Sequence, residues 1–181
     1  MKIFLLLLIT NIVISASSIN KSILEVHATI LPKIFLLEYN YKKLIKNDSI
    51  TITILHDNSD YKNALYLKDT IDKKYLQLNS YPLEIILTSY NDLINASKAT
   101  NILYMLPSKT DNIIKAIKIA KTYKALTFSY KNSDLKNDVM ISISNKIKTK
   151  PILNLNAIKN SRISFKPILL SISEIYNKDT N

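Results

Sequence analysis

The sequence predicts an α/β protein, specifically a Rossmann-like, three-layer domain whose sheet is largely parallel and ends in a C-terminal β-hairpin and a closing helix. Short apolar runs typical of strands alternate with segments whose apolar residues recur every three or four positions. Strands that alternate with helices form parallel sheets through right-handed crossovers. Over 139–173, two apolar runs follow each other directly, which indicates a hairpin before a last helix.

The first 18 residues predict a secretory signal peptide. Lys2 precedes an apolar run that ends in small residues, and cleavage is expected after Ala16 or Ser18. The run is shorter than the about 20 apolar residues of a membrane span, so an uncleaved anchor is the less favoured alternative. We therefore expect an exported protein in which 19–181 fold as a single domain.

The first half of the mature chain predicts two helix–strand pairs. In order, these are a helix over 23–44 that Pro32 kinks or starts, a strand over 50–55, a turn and cap over 57–60, a helix over 64–76 and a strand over 83–87.

The second half continues the alternation and then closes with the hairpin. In order, we expect a short helix over 91–96, a strand over 102–106, a helix over 113–123 that Ser108 caps with Asp111 as reciprocal partner, a strand over 125–129, two strands around a tight turn at Asn145 and Lys146, a helical turn over 155–158 and a helix over 166–176.

The composition restricts the functional classes. The net charge of +11 is almost entirely lysine, with Arg162 as the sole arginine, whereas nucleic-acid recognition favours arginine forks on clustered basic faces. We therefore expect no nucleic-acid partner, although weak attraction to anionic lipid headgroups stays open. The chain has no cysteine, so no disulfide can stabilise it. It has no glycine, which excludes glycine-rich nucleotide-binding loops.

Polar residues follow several of the predicted strands, and in a parallel sheet such residues meet at a ligand crevice. The residues expected there are Asp57, Ser59, Ser89, Ser108, Lys109 and Ser129. Ser108 and Lys109 could hold an anion at the N-terminus of the following helix. A simple helix cap predicts the same serine and is the favoured interpretation.

No catalytic or metal-binding constellation is visible in the sequence. His27 and His56 are the only histidines, and neither has a carboxylate or cysteine at metal-ligand spacing. Asp134 and Asp138 could form an acid–base pair, but the lysines and asparagines around them favour a solvated loop. We therefore expect no catalytic residues, no metal and no cofactor.

Four segments of the chain carry a family resemblance. They are HATILPKIF at 27–35, MISI at 140–143, LNLNA at 153–157 and RISFKPILL at 162–170. Their order and spacing resemble the YfiR-like family of secreted bacterial proteins. The chain departs from that family in lacking its glycines, the tryptophan–proline pair after its first helix, where Asn47, Asp48 and Ser49 stand here, and the cysteines of some members.

The resemblance implies a Rossmann-like fold and a periplasmic regulatory protein without enzymatic activity. Such a protein binds the periplasmic part of an inner-membrane signalling protein, typically a diguanylate cyclase or a sensor kinase, and represses it. The first helix and the C-terminal block would present the surface for that partner or for a homodimer. Tyr39, Arg162 and Phe165 are the candidate contacts. The alternative is a periplasmic small-ligand-binding module that serves a transporter or receptor through the strand-end crevice, and an enzyme ranks third.

Overall fold

The computed structural model describes residues 19–93, 99–144 and 149–177. The helices are α1 (Lys21–Phe35), α2 (Tyr41–Leu44), α3 (Tyr61–Lys74), α4 (Thr110–Tyr123), α5 (Leu155–Asn160) and α6 (Pro167–Ile172). The strands are β1 (Ile50–His56), β2 (Gln77–Leu78), β3 (Tyr81–Ser89), β4 (Ile102–Met105), β5 (Leu126–Ser129), β6 (Ile141–Ile143), β7 (Pro151–Leu153) and β8 (Glu174–Ile175). Short 3-10 helices lie at Asn58–Asp60 and Asn132–Asn137.

The strands form one eight-stranded sheet in the order β2-β3-β1-β4-β5-β6-β7-β8. The five strands from β3 to β6 pair in parallel, while β2 and β7 are antiparallel to their neighbours β3 and β6. The predicted α/β fold, the largely parallel sheet and the antiparallel pairing of the two hairpin strands, β6 and β7, are therefore confirmed, with β8 as the edge strand beyond them. The predicted turn at Asn145 and Lys146, the second half of the predicted helix over 91–96 and the predicted signal peptide lie outside the described residues.

Helices cover both faces of the sheet, which gives the predicted three layers. Alternate residues of a strand point to opposite faces, and β4 shows this directly. Ile102 and Tyr104 belong to the core beneath α1, α3, α5 and α6, whereas Leu103 and Met105 pack with α4. Every residue of β1 is buried, as expected for a central parallel strand covered on both sides.

The helix predicted over 23–44 is divided in the structure. Asn20 caps α1 by accepting a hydrogen bond from Ser22 N, and the helix continues past Pro32 to Phe35. It ends because the next backbone groups bond across to the C-terminal block. The N–H of Tyr39 donates to the carbonyl of Ser164 at 2.8 Å, and that of Lys166 donates to Leu37 at 2.8 Å.

The predicted cap of α4 by Ser108 is wrong. The N-cap residue is Lys109, and no side chain caps this helix. The Ser108 hydroxyl donates instead to Asp57 at the end of β1, because the parallel register of β1 and β4 brings these two strand ends together.

The chain does not close with one long helix. The helix predicted over 166–176 ends at Ile172, and Glu174–Ile175 then pairs in parallel with β7 as the last strand of the sheet. Strand β2, which the sequence did not predict, pairs with the start of β3 at the opposite edge. Both strands contain only two residues, too few to show a period.

Candidate functional site

The carboxyl ends of β1, β3, β4 and β5 meet at one edge of the sheet, as the sequence predicted. The register pairs His56 with Ser89, Leu55 with Met105, and Met105 with Ser129. We refer to this edge as the strand-end crevice. It contains the predicted residues Asp57, Ser59, Ser89, Ser108, Lys109 and Ser129.

Two serines of the crevice, Ser89 and Ser108, already form hydrogen bonds with neighbouring carboxylates. Ser108 Oγ donates to Asp57 Oδ2 at 2.7 Å and accepts from Asn112 Nδ2 at 2.8 Å. Ser89 Oγ donates to Asp92 Oδ2 at 2.6 Å. Because each of these hydroxyls already donates its single hydrogen to a carboxylate, neither serine has a free donor for an anion. Lys109 and Ser59 lie exposed beside them.

Asp134 corrects the prediction of a solvated acidic loop. Its side chain is buried at 8% exposure and accepts a hydrogen bond from the Ser129 hydroxyl. Burial raises the pKa of Asp134, while the bond from Ser129 and the charges of two nearby lysines act in the opposite direction. Asp138 lies apart from it, 3.6 Å from Lys121. The two aspartates therefore do not form a pair.

The crevice has an acidic floor. Tyr90 is buried there and donates its hydroxyl to the carbonyl of Leu106 at 2.6 Å. Burial raises the pKa of Tyr90 well above its usual value, and the charges of Asp134, Asp57 and Asp60 raise it further. The Tyr90 phenol therefore stays protonated at neutral pH.

The two histidines have different surroundings. His27 is buried in α1, and its Nδ1 shares a hydrogen bond with the Tyr104 hydroxyl at 2.6 Å. Burial lowers the pKa of His27 from 6.5 to about 4. His56 Nδ1 lies 3.1 Å from the carbonyl of Asp57. Within the described ranges, no group of three or more histidine, aspartate or glutamate side chains could hold a metal.

A cavity of about 420 Å³ opens between α4 and the segment that follows β3. We call it the α4 cavity. Tyr90, Leu93 and Ile119 supply apolar surface, and Asn112, Lys115 and Lys118 supply polar groups. The sequence analysis missed this site. Its signal was the spacing of Asn112, Lys115 and Lys118, which places them on one face of a helix.

A groove of about 360 Å³ separates α1 from the C-terminal block, and we call it the α1 groove. Ile30, Lys33 and Leu37 line one side, and Pro151 and Ile172 line the other. The family resemblance predicts one contact surface from the first helix and the C-terminal block. These two parts of the chain lie side by side at the groove.

Large apolar side chains of the C-terminal block lie exposed, and one of them, Ile172, also lines the groove. We call them the closing surface, and they are Ile168 at 54%, Leu170 at 44%, Ile172 at 46% and Ile175 at 41% exposure. The spacing of these apolar residues predicts a helix. It did not reveal how many of them would face solvent.

The three predicted contact residues have different surroundings. Tyr39 is 55% exposed, and its backbone joins the C-terminal block through Ser164. Arg162 is exposed and adopts a φ of 55° after α5. Phe165 lies in the core at 7% exposure. Its ring therefore cannot contact a partner, and it supports the surface from beneath.

Comparison with known proteins supports the fold. No protein-family model and no curated protein matches the chain. Among solved structures, a conserved domain protein from Vibrio cholerae O1 biovar El Tor is similar with a TM-score of 0.64 and 11% identity, over 85% of this chain and 60% of that one.

A second similar structure is the ABC domain in complex with L-Trp from Streptococcus pneumoniae, with a TM-score of 0.60 and 8% identity over 82% of this chain and 62% of that one. The chain thus spans about three fifths of each neighbour. At these identities, the likeness establishes the α/β fold alone. In the part of the chain that the structure describes, no helix is long and apolar enough to cross a membrane.

Proposed function

We propose that the protein is a non-enzymatic regulator, exported to the periplasm, that binds the periplasmic part of an inner-membrane signalling protein and represses it. The partner class is typically a diguanylate cyclase, whose output is cyclic di-GMP in the cytoplasm. The observation that carries this proposal is the combined surface formed by the α1 groove and the closing surface.

That surface has the character of a protein-binding site. Several exposed aliphatic side chains on one short segment, one of which lines a groove, are typical of contact surfaces. The backbone bonds between Tyr39 and Ser164 and between Lys166 and Leu37 fix the two sides of this surface to each other. A prearranged surface of this kind loses little entropy on binding.

The charge of the protein supports the same kind of partner. With a net charge of +11, which becomes +10 when Lys2 leaves with the signal peptide, it attracts acidic surfaces over the Debye length, about 8 Å at physiological salt. Lys33 lies within the α1 groove itself. We therefore expect the partner domain to present apolar residues among acidic ones.

The test compares the wild type with an Ile168→Ser/Ile172→Ser variant in cells that lack the native gene. Affinity purification from solubilised envelopes should recover a membrane signalling protein with the wild type and much less with the variant. Cyclic di-GMP should rise in the deletion strain and fall again only with the wild type. Leu76→Ser is the matched control, because Leu76 is 86% exposed and lies beside β2, at the other edge of the sheet.

Two results would contradict the proposal. One is unchanged cyclic di-GMP on deletion together with no membrane signalling protein in repeated purifications. The other is equal recovery of that protein by the wild type and the double variant, which would place the contact elsewhere.

A second candidate function is small-ligand binding in the service of a transporter or receptor. The α4 cavity favours it, because ligand pockets usually measure about 300–1,000 Å³ and combine apolar walls with a few polar groups. The similar structure from Streptococcus pneumoniae was determined with L-Trp. A ligand that binds only the folded state raises its melting temperature, so a thermal-shift screen of amino acids and other metabolites tests this candidate. A flat response across the screen would reject it.

A further inference from the structure

We propose that the α4 cavity is a binding site for a small carboxylate with an apolar body. This assignment rests on the second candidate function and makes it specific. It goes beyond the strand-end crevice, where the hydroxyls of Ser89 and Ser108 already donate to carboxylates.

The shape and walls of the cavity accommodate such a ligand. Its volume of about 420 Å³ accepts a molecule with one ring or a short alkyl chain. Tyr90 and Leu93 are buried at 7% and 3% exposure and form a fixed apolar wall. The Tyr90 ring is held through its hydroxyl by the carbonyl of Leu106 at 2.6 Å. Ile119 extends this wall along α4.

The charged groups of the cavity lie together on α4. Lys115 and Lys118 are three residues apart and therefore neighbours on the helix surface. No acidic residue is among those that line the cavity, and neither lysine has an ion-pair partner within the described ranges. Asp92, which follows close to Tyr90, is held by the Ser89 hydroxyl. Two ammonium groups at the rim of an apolar cavity attract a single negative charge.

The nature of these groups distinguishes a carboxylate from a phosphate. Phosphate sites usually combine a lysine or arginine with clusters of backbone N–H groups, whereas this cavity is lined by two lysines, two asparagines and apolar side chains. The Asn112 amide is oriented by its bond to Ser108 at 2.8 Å, and Ser108 is itself held by Asp57 at 2.7 Å. The ligand would place its carboxylate between the lysines and its apolar body against Tyr90 and Leu93.

The experiment titrates the purified protein with 3-phenylpropionate and with its neutral amide, 3-phenylpropionamide, at low ionic strength. Amide resonances in a ¹H–¹⁵N correlation spectrum report both the site and the affinity. We expect saturable shifts at α4 and at 90–93, with the carboxylate binding about tenfold more tightly than the amide because of the two charges.

A pair of variants tests the lysines. Lys115→Gln/Lys118→Gln should weaken carboxylate binding about tenfold and leave binding of the amide unchanged. Both residues are exposed, so the fold is retained. Lys62→Gln/Lys73→Gln is the control, since it removes the same charge from exposed positions of α3, on the other face of the sheet, and should change neither affinity.

Four results would overturn the site: no saturable binding of either compound, equal affinity for the acid and the amide, an equal loss from the control pair, or shifts that map away from α4. If the thermal-shift screen still found a ligand in any of these cases, small-ligand binding would stand and only its assignment to the α4 cavity would fall.

Discussion

His27 illustrates how a residue without an evident role in the sequence gains one from its surroundings. It is 1% exposed, contacts Tyr104 across the core, and its Nε2 has no hydrogen-bond partner within the described ranges. Because burial lowers its folded pKa to about 4 from an unfolded value of 6.5, the unfolded state takes up the proton first as the pH falls. The stability that neutral His27 provides is complete above pH 6.5 and is lost as the pH falls from there towards 4.

We expect this effect to reach about 3 kcal/mol, since one pKa unit corresponds to about 1.4 kcal/mol. Urea unfolding at a series of pH values between 7 and 4 measures it in the wild type and in His27→Gln. The buried carboxyls of Glu38 and Asp134 have raised pKa values and act in the opposite direction, but both proteins share them. The difference in unfolding free energy between the wild type and His27→Gln should therefore decrease by most of this amount between pH 7 and pH 4. A constant difference would contradict the assignment.

Because the chain has no glycine, other residues adopt the left-handed backbone conformation that glycine usually occupies. Among the residues that the structure describes, seven adopt positive φ, including Asn47, Asn79 and Lys124. Asparagine adopts this conformation at little cost, whereas for lysine it is energetically unfavourable. Lys124 occupies it at the end of α4, where its N–H bonds back to Ala120 and Lys121.

Lys124→Gly should therefore stabilise the protein by about 1 kcal/mol, because glycine is the favoured residue at a left-handed helix end. Thermal or urea unfolding measures the change. The control is Lys118→Gly within the same helix, which should destabilise by about 1 kcal/mol. Destabilisation by both substitutions would mean that the Lys124 side chain contributes more than its backbone strain costs.

At the scale of elements, the junction of α1 with the C-terminal block depends on a few buried groups. Phe165 lies beneath it at 7% exposure and pairs in an antiparallel bridge with Glu38. Ile168, one turn further on, is 54% exposed. The two residues were equivalent as apolar positions in the sequence and differ only in what covers them.

We expect Phe165→Ala to destabilise the protein by about 3–5 kcal/mol, the usual cost of truncating a buried aromatic residue. Ile168→Ser should change stability by less than about 0.5 kcal/mol while weakening partner binding. Urea unfolding supplies the first measurement, and recovery of the partner supplies the second. Similar losses of stability in both variants would show that Ile168 is covered in the folded protein.

At the scale of the molecule, one sheet connects the two cores. The central strands β1 and β4 contribute to both, since Ile54 and Tyr104 belong to one core and Leu55 and Leu103 to the other. Since neither core can lose its strands without disrupting the other, we expect a single cooperative unfolding transition.

Far-ultraviolet circular dichroism and tyrosine fluorescence should therefore give coincident urea midpoints. Leu103→Ala, which truncates the core on the α4 side, should shift both midpoints together by an amount that corresponds to about 2–5 kcal/mol. The control Leu76→Ser should leave them in place. Separate midpoints would contradict the prediction that the mature chain is a single domain.

The fold class, the succession of central helices and strands, and the two hairpin strands could all be predicted from the sequence. These features depend on local patterns, since the spacing of apolar residues reports which face of an element is buried. The polar residues expected at the strand ends also lie there, because a parallel sheet places all its carboxyl ends on one edge.

Which side chains contact one another is visible only in the folded protein. The sequence could not show that Ser108 bonds to Asp57 and Asn112, that Asp134 is buried, or that Phe165 lies inside while its neighbours lie outside. The physical reason is that these contacts join residues on different elements. Their proximity depends on strand order, register and crossovers, which are properties of the whole sheet and leave no local period in the chain.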